Sequence, residues 1–270
     1  MSVKTVILGA GGRMGKTLIR CIVEEKVPGL ELVGAVDLWD VPDLGKDVGL
    51  MAGTKETGIT LINNLETVGK DADVIIDFSS HHCTAGNAPR IAEWGTAWVI
   101  GTTGLNDDEL AAIDAAAEKT AVVHSGNMSL GVNLLCNLVE AGATALKEKG
   151  YDIEVLERHH NLKKDAPSGT ALMLGKAAAD GYGWDLKTVQ VDGRTGIPGE
   201  RPEKEIAFHA IRGGDIVGDH TVLFAGMGEL LELSHRATSR DVFAIGALQA
   251  ALWVANQQPG LYRMKNVLGL

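Results

Sequence analysis

Cysteine is scarce in this chain of 270 residues: Cys21, Cys83 and Cys136 are the only three, and no two stand in a CxxC spacing. So sparse and odd a count excludes a disulfide framework and fits a reducing compartment. Prolines number only 7 and aromatic residues make up 4%, so the core must be built mostly from aliphatic side chains. No apolar run approaches the roughly 20 residues that span a bilayer. The opening MSVKTVILGAGG has too short an apolar part, and no cleavage pattern, for a secretory signal. The expectation is a cytoplasmic protein with no membrane partner. Basic residues are not in excess either: 25 Lys and Arg stand against 35 Asp and Glu, a formal charge of −10. That balance disfavours nucleic acid, whose phosphates need a basic surface. It leaves room for a small anion held at one local cluster of cations.

Glycine, at 34 residues, is what the chain has in abundance, and it suits a fold with many tight strand-to-helix turns. The apolar runs TVIL, ELVGAV, VIIDF, AWVI and TAVVH read as strands. Helical stretches separate several of them; one is NDDELAAIDAAAEKT, with Asn106 as the expected N-cap. Alternating strands and helices predict βαβ units and a parallel sheet. Residues 45–60 show no clear period and read as a loop. After residue 128 the pattern changes. A long helix, the strand YDIEVLERHH and the helix SGTALMLGKAAADG come first, then EIAFHAIRGG, DIVGDHTVLFAG and GELLELSHRAT. These last three read as successive antiparallel strands, turning at Gly213-Gly214 and at GMGE. A long helix and a short one close the chain. The division predicted is 1–128 with 240–270 for one domain and 129–239 for the other.

The stretch VILGAGGRMGKTL follows a strand and opens a helix, the context that gives a glycine fingerprint meaning. Gly9, Gly12 and Gly15 fit a GxxGxxG spacing, which allows a tight turn and lets backbone N–H groups approach a pyrophosphate. Alone, such a triplet is as readily a turn without a ligand. Asp37, 28 residues after Gly9, ends the second strand. A carboxylate there accepts hydrogen bonds from ribose hydroxyls and repels a 2′-phosphate. Followed by Leu38 rather than arginine, it favours NADH over NADPH, although Arg13 or Lys46 remains available for a phosphate. The loops Gly101, Thr102, Thr103 and Ser125, Gly126, Asn127, Met128 lie just past the fourth and fifth strands, where ligands of open α/β sheets bind.

The cations gather in ERHHNLKKDAPSGTAL, residues 157–172. His159 and His160 are adjacent in an extended segment and point in different directions, and no carboxylate or cysteine at helical spacing completes a zinc set. By itself the pair would be a solvated polar loop. Ser168, however, is a favoured N-cap, and an apolar periodic run begins at Ala171. Ser168, Gly169 and Thr170 at the helix start, with Lys163 five residues earlier, form a cradle for an acid group. His159 is then free for proton transfer. The His81-His82-Cys83 triplet looks like metal ligands, but consecutive residues rarely ligate together, so no metal is expected. His209, His220 and His235 read as structural, and Cys136 as a core thiol.

Taken together, GAGGRMG, DFS, IGTTG, ERHHNLKKDAPSGTAL, RGGDIVGDHTVLF and ELSHRATSRDVFAIGALQAALW resemble the dihydrodipicolinate reductase family of lysine and diaminopimelate biosynthesis, over nearly the whole chain. The resemblance implies an α/β subunit. It would comprise a Rossmann-type parallel-sheet nucleotide-binding domain and an α+β substrate and oligomerisation domain with a mainly antiparallel sheet, assembled as a homotetramer. It implies that NADH or NADPH reduces 4-hydroxy-tetrahydrodipicolinate, a small dicarboxylate, with loss of water. His159 would donate or accept the proton, and Lys163 would be a second proton donor. His160, Ser168, Gly169 and Thr170 would bind substrate. Gly9, Ala10, Gly11, Gly12, Arg13 and Met14 would line the cofactor together with Asp37 and the two loops just named. Closure about hinges near Asn127 and Ser239 would bring the two ligands together.

Two departures from the family's pattern carry their own expectations. Arg158 stands where a small residue is common and would perturb the pKa of His159. SSHHCTAGN replaces a proline- and glutamate-containing stretch and would alter local cofactor contacts. Two other readings of the residues remain at this point. One is a dehydrogenase of an amino-acid semialdehyde or aspartate, sharing the first domain only; the other is a dinucleotide sensor without turnover.

Overall fold

The computed structural model describes residues 2–270. In chain order its elements are β1 (Val3–Leu8), α1 (Arg13–Val23), β2 (Leu30–Val36), α2 (Val48–Met51), β3 (Leu61–Ile62), α3 (Glu66–Gly69), β4 (Val74–Asp77), α4 (His81–Trp94), β5 (Ala97–Ile100), α5 (Asp107–Ala117) and β6 (Ala121–His124). They continue with α6 (Leu130–Leu146), β7 (Asp152–His159), α7 (Gly169–Tyr182), α8 (Leu186–Val189), β8 (Gln190–Asp192), β9 (Ile206–Arg212), β10 (Gly218–Gly226), β11 (Glu229–Ala237), α9 (Asp241–Val254), β12 (Gly260–Tyr262) and α10 (Met264–Val267). The chain divides into two compact units, 1–130 with 241–270, and 131–240.

In the first unit seven parallel strands run in the order β12-β6-β5-β4-β1-β2-β3. Both faces are covered, so the strands are apolar on both sides. On one face Ile7, Ile76 and Val99 pack with Leu18 and Ile19 of α1 and with Ala247, Leu248 and Ala251 of α9. On the other, Val6, Ile75, Trp98 and Ile100 pack with Ile91 of α4 and Ile113 of α5. Asn106 caps α5 with a complete capping box. β3 and β12 escaped the sequence reading because two- and three-residue strands carry no period. The segment read as a loop contains α2. Its cap Asp47 accepts N–H groups from Gly49, Leu50, Thr57 and Gly58 and so closes the excursion. The sheet's order reverses at β1: the chain moves outward through β2 and β3, then returns to pair β4 on the opposite side of β1. Such a switch leaves a crevice beyond the carboxyl ends of the strands.

The second unit is a five-stranded sheet, β11-β10-β7-β9-β8. It is mixed: β10 pairs antiparallel with β11 and β7, whereas β7–β9 and β8–β9 are parallel. The expected run of successive antiparallel strands is thereby corrected. β9 and β10 do not form a hairpin; β7 lies between them. The Gly213-Gly214 segment does turn the chain, at Gly214-Asp215, but it passes across the end of β7 to do so. Its bonds are Gly213 N–H to His159 O (2.9 Å), His160 N–H to Ile216 O (2.8 Å) and Asn161 N–H to Gly214 O (3.2 Å). Leu135 and Val139 of α6 and Leu174 and Ala178 of α7 pack against Ile153, Val155, Phe208 and Phe224 to make this unit's core.

Candidate active site

The crevice of the first unit is made mostly of backbone. β1 ends at Leu8 and Gly9 turns the chain at φ 81°, a region side chains disfavour. Gly12 caps α1 without a side-chain hydrogen bond, so the first-turn N–H groups of this helix have no side-chain partner. At Gly15 a Cβ would lie 2.3 Å from Gly9 O and 2.5 Å from Ala10 Cα; only glycine lets the helix start so close to the turn. Asp37 fastens the loop. Its Oδ2 accepts the Gly11 N–H at 2.7 Å and its Oδ1 the Leu38 N–H at 2.8 Å. The cavity beside them, about 420 Å³, is lined by Gly9, Gly12, Asp37, Trp39, Ser80 and Arg90 among others.

Several predicted residues stand elsewhere. The side chains of Ala10 and Met128 are buried in the core, and Met14 packs against it, so any part they take is through backbone. Arg13 and Lys46 are not in the lining; Lys46 is tied to Asp43, whose carboxyl Lys16 and Lys46 together hold down at about 2. Arg90 is the cation that lines this cavity. Its signal was the spacing Cys83, Asn87, Arg90 along one face of α4, all three being lining residues. Gly101, Thr102 and Thr103 follow β5, where Thr102 is buried and its hydroxyl donates to Asp77 Oδ1 at 3.3 Å. Ser125, Gly126 and Asn127 follow β6, with Ser125 Oγ donating to Asn127 O at 2.7 Å. Both loops lie outside the lining of the cavity.

The second unit's cluster is made of side chains. Burial alternates along β7, so Ile153, Val155, Glu157 and His159 share the inward face. Glu157 is 0% exposed. Arg212, level with His159 on the neighbouring β9, grips it with two bonds of 2.7 Å. The Ser168 N–H donates to it at 3.1 Å, and His159 Nδ1 lies 2.5 Å from its second oxygen. Burial works against the charge on Glu157, but Arg212 and His159 outweigh it and hold the carboxyl below its usual range. A carboxylate only accepts, so the shared proton sits on Nδ1 and Nε2 carries the lone pair. Burial, assisted by the charges of Lys163 and Arg212 and opposed by Glu157, draws His159 below the ordinary imidazole range. Arg158, on the other face of β7, instead pairs with Asp219 at 4.0 Å. The expected perturbation of His159 by Arg158 is replaced by that of Arg212, which the sequence reading missed.

His220 stands edge-on to His159, with ring centroids 5.0 Å apart, and its Nε2 is 3.2 Å from Ser168 Oγ. Burial pushes His220 down to about 3. Ser168 does cap α7, accepting the Ala171 N–H at 3.2 Å. It is only 2% exposed, and its N–H and hydroxyl are engaged inside the protein. Gly169 is exposed and Thr170 half-buried at the helix start. Lys163 Nζ donates to Asp165 at 2.9 Å on the same loop. His160 holds a buried Nδ1 with no partner. The arrangement offers a neutral imidazole of fixed tautomer, an ammonium group and a helix start, which suits proton exchange beside an anion.

Two family models cover the chain: one described as dihydrodipicolinate reductase, N-terminus, matches residues 3–128, and one described as dihydrodipicolinate reductase, C-terminus, matches 131–268. A 4-hydroxy-tetrahydrodipicolinate reductase of Alkalilimnicola ehrlichii is 49% identical over 270 residues, covering 100% of both chains. One from Rhodopseudomonas palustris is 48% identical over 99% of this chain and 97% of its own. Among solved structures, dipicolinate-bound dihydrodipicolinate reductase from Paenisporosarcina sp. TG-14 superposes with a TM-score of 0.76 at 25% identity, covering 97% of this chain and 98% of the other. Amine dehydrogenase from Mycobacterium smegmatis, at 12% identity and a TM-score of 0.58, shares the fold.

Proposed function

The chain belongs to the dihydrodipicolinate reductase family, and from that membership we propose that it reduces 4-hydroxy-tetrahydrodipicolinate to tetrahydrodipicolinate with NADH or NADPH, releasing water, in lysine and diaminopimelate biosynthesis. It is an oxidoreductase with a nicotinamide cofactor. The single observation that carries the assignment of roles is the buried Arg212–Glu157–His159 array, a proton-handling group of fixed orientation beside a cationic loop.

Residues 1–128 with 240–270 form the dinucleotide domain and 129–239 the substrate and tetramerisation domain. The uncapped first turn of α1, the close approach at Gly15 and the acidic end of β2 fit a pyrophosphate and a ribose. Gly9, Gly11, Gly12 and Asp37 would hold those groups, with Gly101–Thr103 and Ser125–Asn127 at the carboxyl ends of β5 and β6. When bound, the nicotinamide supplies the hydride. Asp37 would repel a 2′-phosphate, which favours NADH.

The Paenisporosarcina relative binds dipicolinate, a ring with two carboxylates. In this chain His160, Lys163, Gly169 and Thr170 hold the corresponding acid groups, and Ser168 steadies the helix start beneath them. Glu157 keeps the Nδ1 proton of His159 in place, so proton exchange with substrate runs through Nε2. Lys163 is the second donor. Homotetramer formation is supported by the uncovered face of the second unit's sheet, where Ile211 and Leu230 are 46% and 53% exposed, and by β11 being an edge strand.

The test is absorbance at the nicotinamide band, with enzymatically generated 4-hydroxy-tetrahydrodipicolinate offered alongside NADH and NADPH in parallel. Substrate-dependent oxidation, faster with NADH, is expected. No oxidation of either cofactor would overturn the reaction, and a preference for NADPH would overturn the role given to Asp37. Light scattering after gel filtration reads the assembly.

A further inference from the structure

The structure splits the His81-His82-Cys83 triplet. Cys83 turns toward Asn87 and lines the first unit's cavity. His81 and His82 open α4 with ring centroids 3.9 Å apart, and both direct Nδ1 at one carboxylate, Glu109 of α5. His81 Nδ1 lies 2.8 and 2.9 Å from its two oxygens, and His82 Nδ1 lies 2.9 Å from one of them. The third member of the cluster thus comes from outside the triplet, 28 positions beyond His81.

Glu109 is built into place. It is 8% exposed, its Oε2 accepts the Asn106 N–H at 2.9 Å, and its own N–H donates to Asn106 Oδ1 at 2.9 Å. The Asn106 bond, together with the two imidazoles and against burial, holds its carboxyl below the usual range, the ionised form that ligation requires. Among the described residues its ion-pair partners are these two histidines alone.

We propose that His81, His82 and Glu109 form a three-ligand site for a divalent metal of the zinc class, cross-linking α4 to α5. Imidazole nitrogen and carboxylate oxygen are zinc donors, and the nitrogen pair selects against magnesium and calcium. With bonds of about 2.0–2.2 Å, tetrahedral ligand atoms stand roughly 3.3 Å apart. The present separations of 2.8–2.9 Å therefore need to open by about 0.5 Å. His82 and His81, 79% and 37% exposed in their side chains, can each rotate to allow this and leave the fourth position to water. Each imidazole moves its proton from Nδ1 to Nε2, so none need be lost. The ion is structural, and the inference is independent of the reaction proposed above.

The test uses tag-free full-length protein stripped with a chelator and titrated with Co²⁺, then with Zn²⁺ in competition. The expected result is one equivalent of Co²⁺ with the intense visible bands of tetrahedral coordination, displaced by Zn²⁺, and a rise in Tm with Zn²⁺. A His81→Ala/His82→Ala double variant with a native circular dichroism spectrum should bind at least ~100-fold more weakly and lose the Tm rise. His82→Ala alone, at an exposed position, should weaken binding by about tenfold and serves if the double variant does not fold. Weak octahedral bands, substoichiometric binding, or the same affinity in wild type and His82→Ala would overturn the proposal.

Discussion

The two units build their ligand-facing surfaces from different material. In the first, the turn at Gly9, the uncapped start of α1 and the Gly11 N–H are all backbone, with one carboxylate, Asp37, fastening them. In the second, the working groups are side chains around a buried Glu157 that Arg212, His159 and Ser168 together satisfy. A backbone surface does not titrate and fails only when an added atom fills its space. A side-chain surface responds to pH and fails when any one partner is removed, because the carboxylate left behind is buried.

The sharpest way to separate them is His159→Gln. It should lower kcat by roughly 10²–10⁴-fold while the Kd for NADH, read by fluorescence titration, stays near that of the parent. An equal loss in both would erase the distinction. Gly15→Ala attacks the other side. With backbone atoms 2.3 and 2.5 Å from the new Cβ, the Kd for NADH should rise about 100-fold, whereas the acid limb that titration of His159 gives the pH–kcat profile should keep its position. Arg212→Met should cost roughly tenfold in kcat. It should also move that limb to higher pH, because the positive charge of Arg212 helps to lower His159. A fall in kcat with an unmoved profile would make Arg212 merely structural. The smallest effect is on stability. His220 is held at about 3 against about 6.5 in the unfolded chain. As pH drops below about 6.5, the unfolded chain takes up a proton that the native protein refuses, and stability falls. At pH 5.5 the loss is on the order of 1 kcal/mol, a Tm decrease of a few degrees relative to pH 7. His220→Asn should show a smaller decrease over that interval.

What the sequence disclosed follows the same division. The glycine loop, the end of β2 and the start of α7 are local patterns, each readable within about fifteen residues. Five of the first unit's strands were legible because each is an apolar run bounded by a turn. The partnership of Glu157 with Arg212 was not, because it depends on β9 lying parallel beside β7, with His159 level with Arg212. No short-range signal reports that pairing. One clue was present: positions 153, 155, 157 and 159 fall on one strand face, where a charged residue among Ile153 and Val155 demands a partner. The period showed that Glu157 needed one, and only the sheet order showed which. Glu109 and the two histidines at 81 and 82 form the same kind of distant pairing. β9 and β10 were misjudged as a hairpin because a Gly-Gly pair that turns a chain and one that carries it over another strand look alike in sequence.

The position of α9 bears on the order in which the protein is made. Ala244, Ala247, Leu248, Ala251 and Val254 are fully buried and complete the face of the first sheet that carries Ile7, Ile76 and Val99. A ribosome delivers residues 131–240 before it delivers that helix. The later-starting unit can therefore close while the earlier one still lacks part of its covering, reversing the usual amino-terminal-first sequence of events. During that interval an apolar sheet surface is bare to solvent, and chaperone binding to the nascent chain should be heaviest there and end once residue 254 has cleared the exit tunnel.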